Sequence, residues 1–407
     1  MKITRFKHKF HEFTSVLRNE YRNIFHDGGV LLIAVGAIFI YSIAYSLAYK
    51  NEVLRDIPVA VVDNSHTSPS RQLIRAFDAT PNIDVAYKPT SLDEAKKLFF
   101  ERKVYGVIVI PSDYEKKLMR TEKVNIAIYA DASYFLMYRQ VFFDIAGSLG
   151  QSNYNVEWLR FVSKGATTKQ AEALSSPVVA SIHNLYNPYL GYATFLMPAI
   201  LIVIIQQTLL IGIGMVGGTW REKRLYRTLL PAGQSRMSVF PIVLGKSAAF
   251  ISIYCVTIAY LLTFHYKLFG YPVKGDTGDL ILFLIPYLLS CTFLGIALST
   301  LFKHRENSLI FLLFTSIPVL MLSGASVPAE CIPTWLYDGA KFIPSSCGVD
   351  GFLRIQTMGA TLAEVSSQVS TLWILTGVYF ILACLGMYRI LRKTEREEAS
   401  APAEQAN

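Results

Sequence analysis

Six long apolar stretches divide the chain. They lie at about residues 29–49, 189–218, 239–264, 280–302, 308–322 and 372–391. A helix needs roughly 20 apolar residues without charge to cross the hydrocarbon core of a bilayer. The pattern therefore predicts a membrane α-helical protein with six transmembrane helices. The fifth stretch is the shortest and continues into SGASVPAECIP, which allows a re-entrant end.

Residues 50–188 show a different pattern, typical of a soluble domain. Short apolar runs at residues 57–62, 83–87, 104–110 and 124–129 predict strands. Helical segments at about residues 68–77 and 91–102 alternate with them. Strands that alternate with helices indicate a small α/β domain, and the chain turns helical again from about Tyr134. We expect this domain to be inserted between the first two transmembrane helices.

The basic residues give the orientation. They cluster before the first stretch, after the second and fourth, and in the tail. Lys and Arg favour the cytoplasmic side, so both termini should be cytoplasmic and the α/β domain extracytoplasmic. Positive-inside charge also accounts for the net charge of +9 without nucleic acid as a partner. A chain with 52% hydrophobic and 17% charged residues fits a bilayer better than a soluble fold.

The expected domains follow from these assignments. They are a cytoplasmic amphipathic interfacial helix at 1–27, a first transmembrane helix at 28–49, and an extracytoplasmic α/β domain with a helical return at 50–188. A five-helix transmembrane region occupies 189–393, with a cytoplasmic loop at 219–237 and an extracytoplasmic loop at 323–370; the cytoplasmic tail is 394–407.

The first 27 residues carry an apolar stripe at helical spacing, which includes Phe10, Phe13, Leu17, Tyr21 and Ile24. Basic residues surround the stripe. Such a helix can lie flat on the inner leaflet of the membrane. The alternative is an ordinary helix packed against the rest of the protein.

The sequence contains no nucleotide-binding loop. Gly245, Lys246 and Ser247 resemble the end of one, but Phe240 stands where the loop needs a glycine. We therefore expect no ATP hydrolysis by this chain and no enzymatic activity. The seven histidines lack Cys or acidic partners at metal-binding spacing, so they predict surface positions and no cofactor. Lys246 and His265 lie near the ends of a transmembrane stretch, where they can extend to the interface.

Acidic residues are missing from the centres of the apolar stretches. Carriers driven by protons or sodium need buried acidic groups, so this pattern argues against that class. Gln206 and Gln207 are the most polar pair in mid-membrane. They either line a transport pathway or form hydrogen bonds between helices.

Three aspartates and two cysteines have competing interpretations. Asp63, Asp113 and Asp131 follow strand ends, where turn and cap chemistry is a better explanation than a ligand site. Cys331 and Cys347 lie in the last extracytoplasmic loop. They are either a disulfide on the oxidising side of the membrane or two free thiols.

Several segments in the right order resemble one protein family. IPVAVVDNSHTSPSRQLIRAF from Ile57, SLDEAKKLFFERKVYGVIVIPSDYEKKL from Ser91 and YNPYLGYATFLMPAI from Tyr186 carry the likeness, as do WREKRLYRTLLPAG from Trp220 and SGASVPAECIPTWLYDGAKFIPSSCGVDGFLRI from Ser323. The chain resembles the permease subunits of type-2 ABC exporters, especially the subgroup with a large external domain between the first two spans.

The resemblance implies a permease subunit in the cell inner membrane that exports substrate by alternating access. Separate ABC ATPase subunits would supply the energy, and a second permease copy or a paralogue would complete a dimer. A periplasmic adaptor protein is a further partner in some relatives. Arg221 and Glu222, with neighbouring Lys223, match the start of the family's ATPase-coupling signature, but Arg224, Leu225 and Tyr226 depart from the rest. Solvated positive-inside charge is the other interpretation of this loop.

The likeness names no substrate. A membrane-anchored receptor or assembly platform, whose external domain binds a partner without transport, is the alternative function.

Overall fold

The computed structural model describes residues 2–50, 54–188, 190–226, 239–324, 327 and 329–399. The chain divides into two compact units. One consists of Met1–Glu52 and Asn184–Asn407, and the other of Val53–His183. The first unit is a bundle of helices, and the second contains a sheet.

Six helices in the described part of the first unit are long and apolar enough to cross a membrane, which confirms the predicted number. They are α2 (Gly28–Ala48), α8 (Tyr192–Glu222), α9 (Val239–Phe269), α10 (Thr277–Ser299), α11 (Arg305–Leu322) and α14 (Ser366–Ala399). Local sequence fixes several of their ends. The carboxylates of Asp27 and Asp276 accept hydrogen bonds from the first backbone N–H groups of α2 and α10. Gly270 ends α9 with a φ of 70°, which glycine adopts without strain.

The helix α8 forms the centre of the bundle, because nearly all of its apolar side chains are buried. It packs against α2, α10 and α11. Hydrogen bonds add to this packing, since Tyr287 of α10 donates to the Ile202 carbonyl oxygen at 2.7 Å. By contrast, α11 packs on α8 and leaves most of its other side chains exposed, including Phe314 at 80%.

The segment between α11 and α14, predicted as an extracytoplasmic loop at 323–370, contains helical structure. It forms two short helices, α12 (Thr334–Ala340) and α13 (Pro344–Leu353), and a π-helical turn at Arg354–Met358. The helix α13 packs against α8, α10 and α14. Gly348 and Gly351 allow this approach, because they face the rings of Tyr287 and Phe283 with no room for a side chain. The sequence allowed a re-entrant end at α11; this stays a prediction, and α13 is the element that packs back against the bundle.

The N-terminal helix α1 (Lys2–His26) packs along α9. The side chains of Val16, Glu20 and Ile24 are buried at helical spacing, while Phe10 and Phe25 are more than half exposed. The predicted amphipathic helix therefore exists and buries one face on the bundle. Its position at the membrane surface stays a prediction.

The second unit has a four-stranded sheet in the order β2-β1-β3-β4. The strands are β1 (Ile57–Asp63), β2 (Ile83–Tyr87), β3 (Gly106–Ile110) and β4 (Ala127–Ala130). Both β2 and β3 pair parallel to β1, and β4 pairs antiparallel to β3. These strands confirm the predicted α/β pattern within one or two residues at most ends.

Five helices connect and cover this sheet. They are α3 (Ser68–Asp78), α4 (Leu92–Phe100), α5 (Tyr114–Met119), α6 (Phe135–Ser163) and α7 (Thr168–Ser175). Thr67 and Ser70 form a reciprocal capping box at α3, and Ser91 caps α4. The apolar faces of α3 and α6 bury Phe77 and Ile145 against one side of the sheet. A smaller core, which includes Ala95 of α4, covers the other side.

Candidate functional site at the basic end of the bundle

Two ion pairs of the first unit join segments far apart in the sequence, and both lie near the end of α1 and the starts of α9 and α11, beside the end of α8. We call this the basic end of the bundle and define it by Trp220, Lys246 and Arg305. The predicted coupling residues Arg221, Glu222 and Lys223 lie in this region, at the last turn of α8 and just after it.

Lys246 lies inside the protein instead of reaching toward the interface, which corrects the prediction. Its Nζ donates to Glu20 Oε1 at 2.9 Å and to Oε2 at 2.8 Å. Only 5% of the lysine side chain and 2% of the glutamate side chain are exposed. Burying a charge is costly unless an opposite charge compensates it, so this bidentate pair explains how α9 accommodates a lysine.

Aromatic side chains complete the surroundings of this ion pair. Lys246 Nζ lies 4.2 Å from the ring centroid of Trp220, within range of a cation–π interaction. The Trp220 ring is 5.4 Å from that of Tyr226, which is also buried. Burial raises the pKa of Tyr226, and the negative charge of Glu20 adds to the shift. Through Glu20 and Trp220, the Lys246 ammonium group contacts both α1 and α8.

A second ion pair joins the start of α2 to the start of α11. Arg305 donates to both carboxylate oxygens of Asp27, at 2.6 and 2.8 Å. Burial raises the pKa of Asp27, but hydrogen bonds from Arg305 and from the Val30 N–H outweigh it and hold the pKa below its ordinary value. A Cβ on Gly29 would lie 2.3 Å from Nη2 of Arg305, so a side chain there would displace the guanidinium.

The end of α8 is held tightly against the turn between α10 and α11. Arg221 donates to the Thr300 carbonyl oxygen. A Cβ on Gly217 would come within 2.6 Å of Ser299, and one on Gly218 within 2.8 Å of the Arg305 backbone. Two glycines thus permit backbone contact that any side chain would prevent.

The structure separates the three predicted coupling residues by role. Arg221 is used within the bundle, whereas Glu222 and Lys223 are exposed. These two side chains are therefore free to meet a partner. Most of the remaining loop, residues 227–238, lies outside the described part of the chain.

Gln206 lies at the meeting of three helices in the middle of the bundle. Its Oε1 accepts a 2.7 Å hydrogen bond from the Ser345 N–H at the start of α13 and lies 3.7 Å from Cys291 Sγ of α10. The Ser345 N–H belongs to a helix's first turn and has no intrahelical acceptor. Gln206 therefore forms a hydrogen bond between helices, which is one of the two roles that the sequence allowed for it.

Gln207 has a different environment. Both polar atoms of its side-chain amide are buried without a hydrogen-bond partner among the described residues. Gly214, two turns further along α8, faces α11, because a Cβ at this position would lie 3.1 Å from side-chain carbons of Leu312 and Ser308. A buried amide without partners is costly for a protein, so Gln207 is the better candidate for a function in transport.

His265 is fully buried, which corrects its predicted surface position. It lies in a π-helical turn of α9, and its Nε2 is 3.0 Å from both the Ser42 carbonyl oxygen and Ser46 Oγ of α2. Because a carbonyl oxygen only accepts, Nε2 carries a proton and donates to it. The histidine thus fastens α2 to α9 at the end of the bundle opposite Lys246.

The remaining candidates have structural roles or none. Cys331 and Cys347 are both free thiols, so the structure does not contain the disulfide that the sequence allowed. Asp63 accepts from the backbone N–H groups of Ser65 and His66, as expected for turn chemistry. A hydrogen bond from Lys117 lowers the pKa of Asp113, and Asp131 accepts from Ser133.

Comparison with known proteins places this architecture in a family. A family profile described as an ABC-2 family transporter protein matches residues 29–385, which include all six apolar helices except the end of α14. The chain belongs to the ABC-2 transporter family. The probable multidrug ABC transporter permease YbhR of Escherichia coli strain K12 is 20% identical over 369 residues, covering 90% of this chain and 95% of the relative.

A second relative of this ABC-2 family chain is the inner membrane transport permease YhhJ of the same strain, 22% identical over 375 residues, covering 90% and 94% of the two proteins. These matches identify a multi-pass membrane protein and a permease subunit of an ABC transporter. Membership in this family implies a partner ATPase subunit. The basic end, with its exposed Glu222, is our candidate for the meeting point with that partner.

Sequence reasoning missed Glu20 as a functional candidate of this ABC-2 permease. One signal was present. Glu20 lies three residues after Leu17 and four before Ile24, so it interrupts the apolar stripe of α1. A carboxylate on a buried helix face needs a cationic partner, and Lys246 was the unexplained cation.

Proposed function

We propose that this chain is the membrane half of an ATP-driven exporter, which moves substrate outward by alternating access. The observation that carries the proposal is the family match across all six apolar helices, together with an exposed charged segment at Glu222 and Lys223. A separate ATPase subunit would contact that segment. ATP binding would then move the end of α8, and with it the bundle.

The working unit that we propose contains two such permeases, identical or related, and two ATPase subunits. The likeness to type-2 exporters supports this composition. The same likeness supports an external position for the α/β unit, where an adaptor protein can reach it. Both termini would be cytoplasmic, since the basic loops all fall at one end of the alternating helices.

The coupling is tested with Glu222→Lys in the assembled complex. ATP turnover should fall by about tenfold, within the range of ordinary coupling free energies, because charge reversal repels the partner surface. Membrane insertion should be unchanged, since the side chain is exposed. Glu122→Lys, at an exposed carboxylate of the α/β unit and outside the basic end, is the control. Equal ATP turnover in both variants would mean that Glu222 is a solvated charge with no part in coupling.

The orientation is tested by labelling with a membrane-impermeant maleimide on intact cells. Cysteine at Ser112 in the α/β unit should react, and cysteine at Glu222 should react only after the membrane is opened. The opposite pattern would invert the proposed topology. Parallel labelling of the unaltered chain is needed because Cys331 is exposed.

A further inference from the structure

The Lys246 ammonium joins three elements that lie far apart in the sequence. Glu20 belongs to α1, Trp220 to the last turn of α8, and Lys246 to the start of α9. Trp220 comes just before the exposed residues Glu222 and Lys223, and Lys246 follows the segment that connects α8 to α9. The contact therefore closes the base of the loop that holds the proposed ATPase-contact residues.

Other contacts hold α1 against the bundle. The hydroxyls of Tyr21 and Ser252 are hydrogen-bonded between α1 and α9. Gly245 lets α1 approach closely, since its ideal Cβ would lie 3.1 Å from the Phe13 carbonyl oxygen. The ion pair of Asp27 with Arg305 holds the chain just after α1.

Stability alone is a weak reason for a buried ion pair. Well-packed apolar residues of similar volume often stabilise a protein equally or better. An ion pair also fixes how two helices align with each other, because the carboxylate and the ammonium group meet in only one alignment. Here that alignment couples α1 to the two helix ends that flank the loop.

We propose that Glu20, Lys246 and Trp220 are positioning residues that make α1, the end of α8 and the start of α9 move as one body during transport. This clamp rests on the proposed function, because it transmits the motion that the ATPase starts.

The test uses the assembled complex and a covalent replacement for the ion pair. Glu20→Gln keeps the shape of the side chain and removes its charge. Val16→Cys and Gly245→Cys introduce thiols at positions whose Cβ atoms lie 3.1 Å apart. A disulfide needs about 3.5–4.5 Å, so a shift of a few tenths of an ångström suffices, and removing the valine methyls makes room for it.

Glu20→Gln should lower the turnover number for ATP by about tenfold, the middle of the range for coupling between sites. The KM for ATP should stay constant, because ATP binds the partner subunit. Oxidation of the Val16→Cys/Gly245→Cys/Glu20→Gln variant should restore turnover, and dithiothreitol should abolish it again in the same sample. Since that sample is already folded, reversal by a reductant measures positioning and not folding.

Controls separate the outcomes. Glu122→Gln makes the same change at an exposed carboxylate of the α/β unit, outside the basic end, and should have no effect. If the wild-type complex hydrolyses ATP and the Glu20→Gln complex does so at the same rate, the clamp is wrong but the proposed function is not affected. A wild-type complex that hydrolyses no ATP would overturn the proposed function.

If Glu20→Gln fails to assemble, the two cysteines in the otherwise unaltered chain decide. Full turnover after cross-linking supports a single moving body. Inhibition by the cross-link shows that α1 and α9 separate during the cycle, and it overturns the proposal.

Discussion

Substitution of Gly351 by alanine tests whether α13 is a packed element of the bundle. A Cβ at this position would lie 2.3 and 2.4 Å from two ring carbons of Phe283. Carbon atoms normally pack at about 3.5–4.0 Å, so the overlap exceeds 1 Å. The Phe283 ring is fully buried, so it cannot relieve the overlap by turning into solvent without breaking its packing.

The expected loss follows from these distances. Overpacking a core costs about 1–3 kcal/mol, whereas alanine gains about 0.5–1 kcal/mol over glycine within a helix. Gly351→Ala should therefore destabilise the protein by about 1–2 kcal/mol. Gly377→Ala on α14 is the matched control, because nothing lies within 4 Å of its Cβ position. That variant should be slightly more stable than the parent protein.

Unfolding of the purified chain in mixed micelles of increasing SDS content, followed by tryptophan fluorescence, measures the difference. The midpoints should increase in the order Gly351→Ala, parent, Gly377→Ala. Adding Phe283→Leu to Gly351→Ala should recover part of the loss, since the smaller side chain removes the overlap. Equal midpoints for the two alanine variants would refute the packing of α13 against α10.

The two glutamines should respond in opposite ways: Gln206→Leu should destabilise the chain by about 1–3 kcal/mol, because the buried Ser345 N–H loses its acceptor. Gln207→Leu should leave stability equal or higher, since its amide has no hydrogen-bond partner among the described residues; a loss of transport at unchanged stability would assign it to the pathway. Mass mapping of the non-reduced, alkylated protein should find Cys331 and Cys347 as free thiols, with Cys331 alkylated faster because it is more exposed. A peptide containing both in a disulfide would contradict the structure at this loop.

Patterns within single segments predicted most of the fold. The six apolar helices and the strands of the α/β unit each follow from a periodicity that the segment carries itself. The cap at Thr67 and the end at Gly270 are equally local, although neither was predicted. The helix α13 was harder, because SSCGVDG has too few large apolar residues to look buried. Its small residues are what let it pack on α10.

Contacts between distant segments were beyond sequence reasoning. Glu20 and Lys246 are separated by more than two hundred residues, and each alone resembles a solvated charge near a membrane surface. His265 likewise lies near the end of its apolar stretch, and the sequence does not show that its partners are the Ser42 carbonyl oxygen and the Ser46 hydroxyl of α2. A segment's periodicity shows which face is buried, but not which partner covers that face.

The described residues include three π-helical turns, at Leu32–Gly36, Leu261–His265 and Arg354–Met358, which have a consequence for deletions. A π-helical turn holds one residue more than the α-helical turn it replaces. Deleting one residue elsewhere in a bundle helix rotates everything after it by about 100°, which moves buried side chains to the lipid. The turns at Leu32–Gly36 and Leu261–His265 have α-helix on both sides, so the same deletion within them should restore a regular helix and keep both flanks in place. Among the described residues, these are two points at which the length of the chain can change by one residue while the bundle keeps its packing.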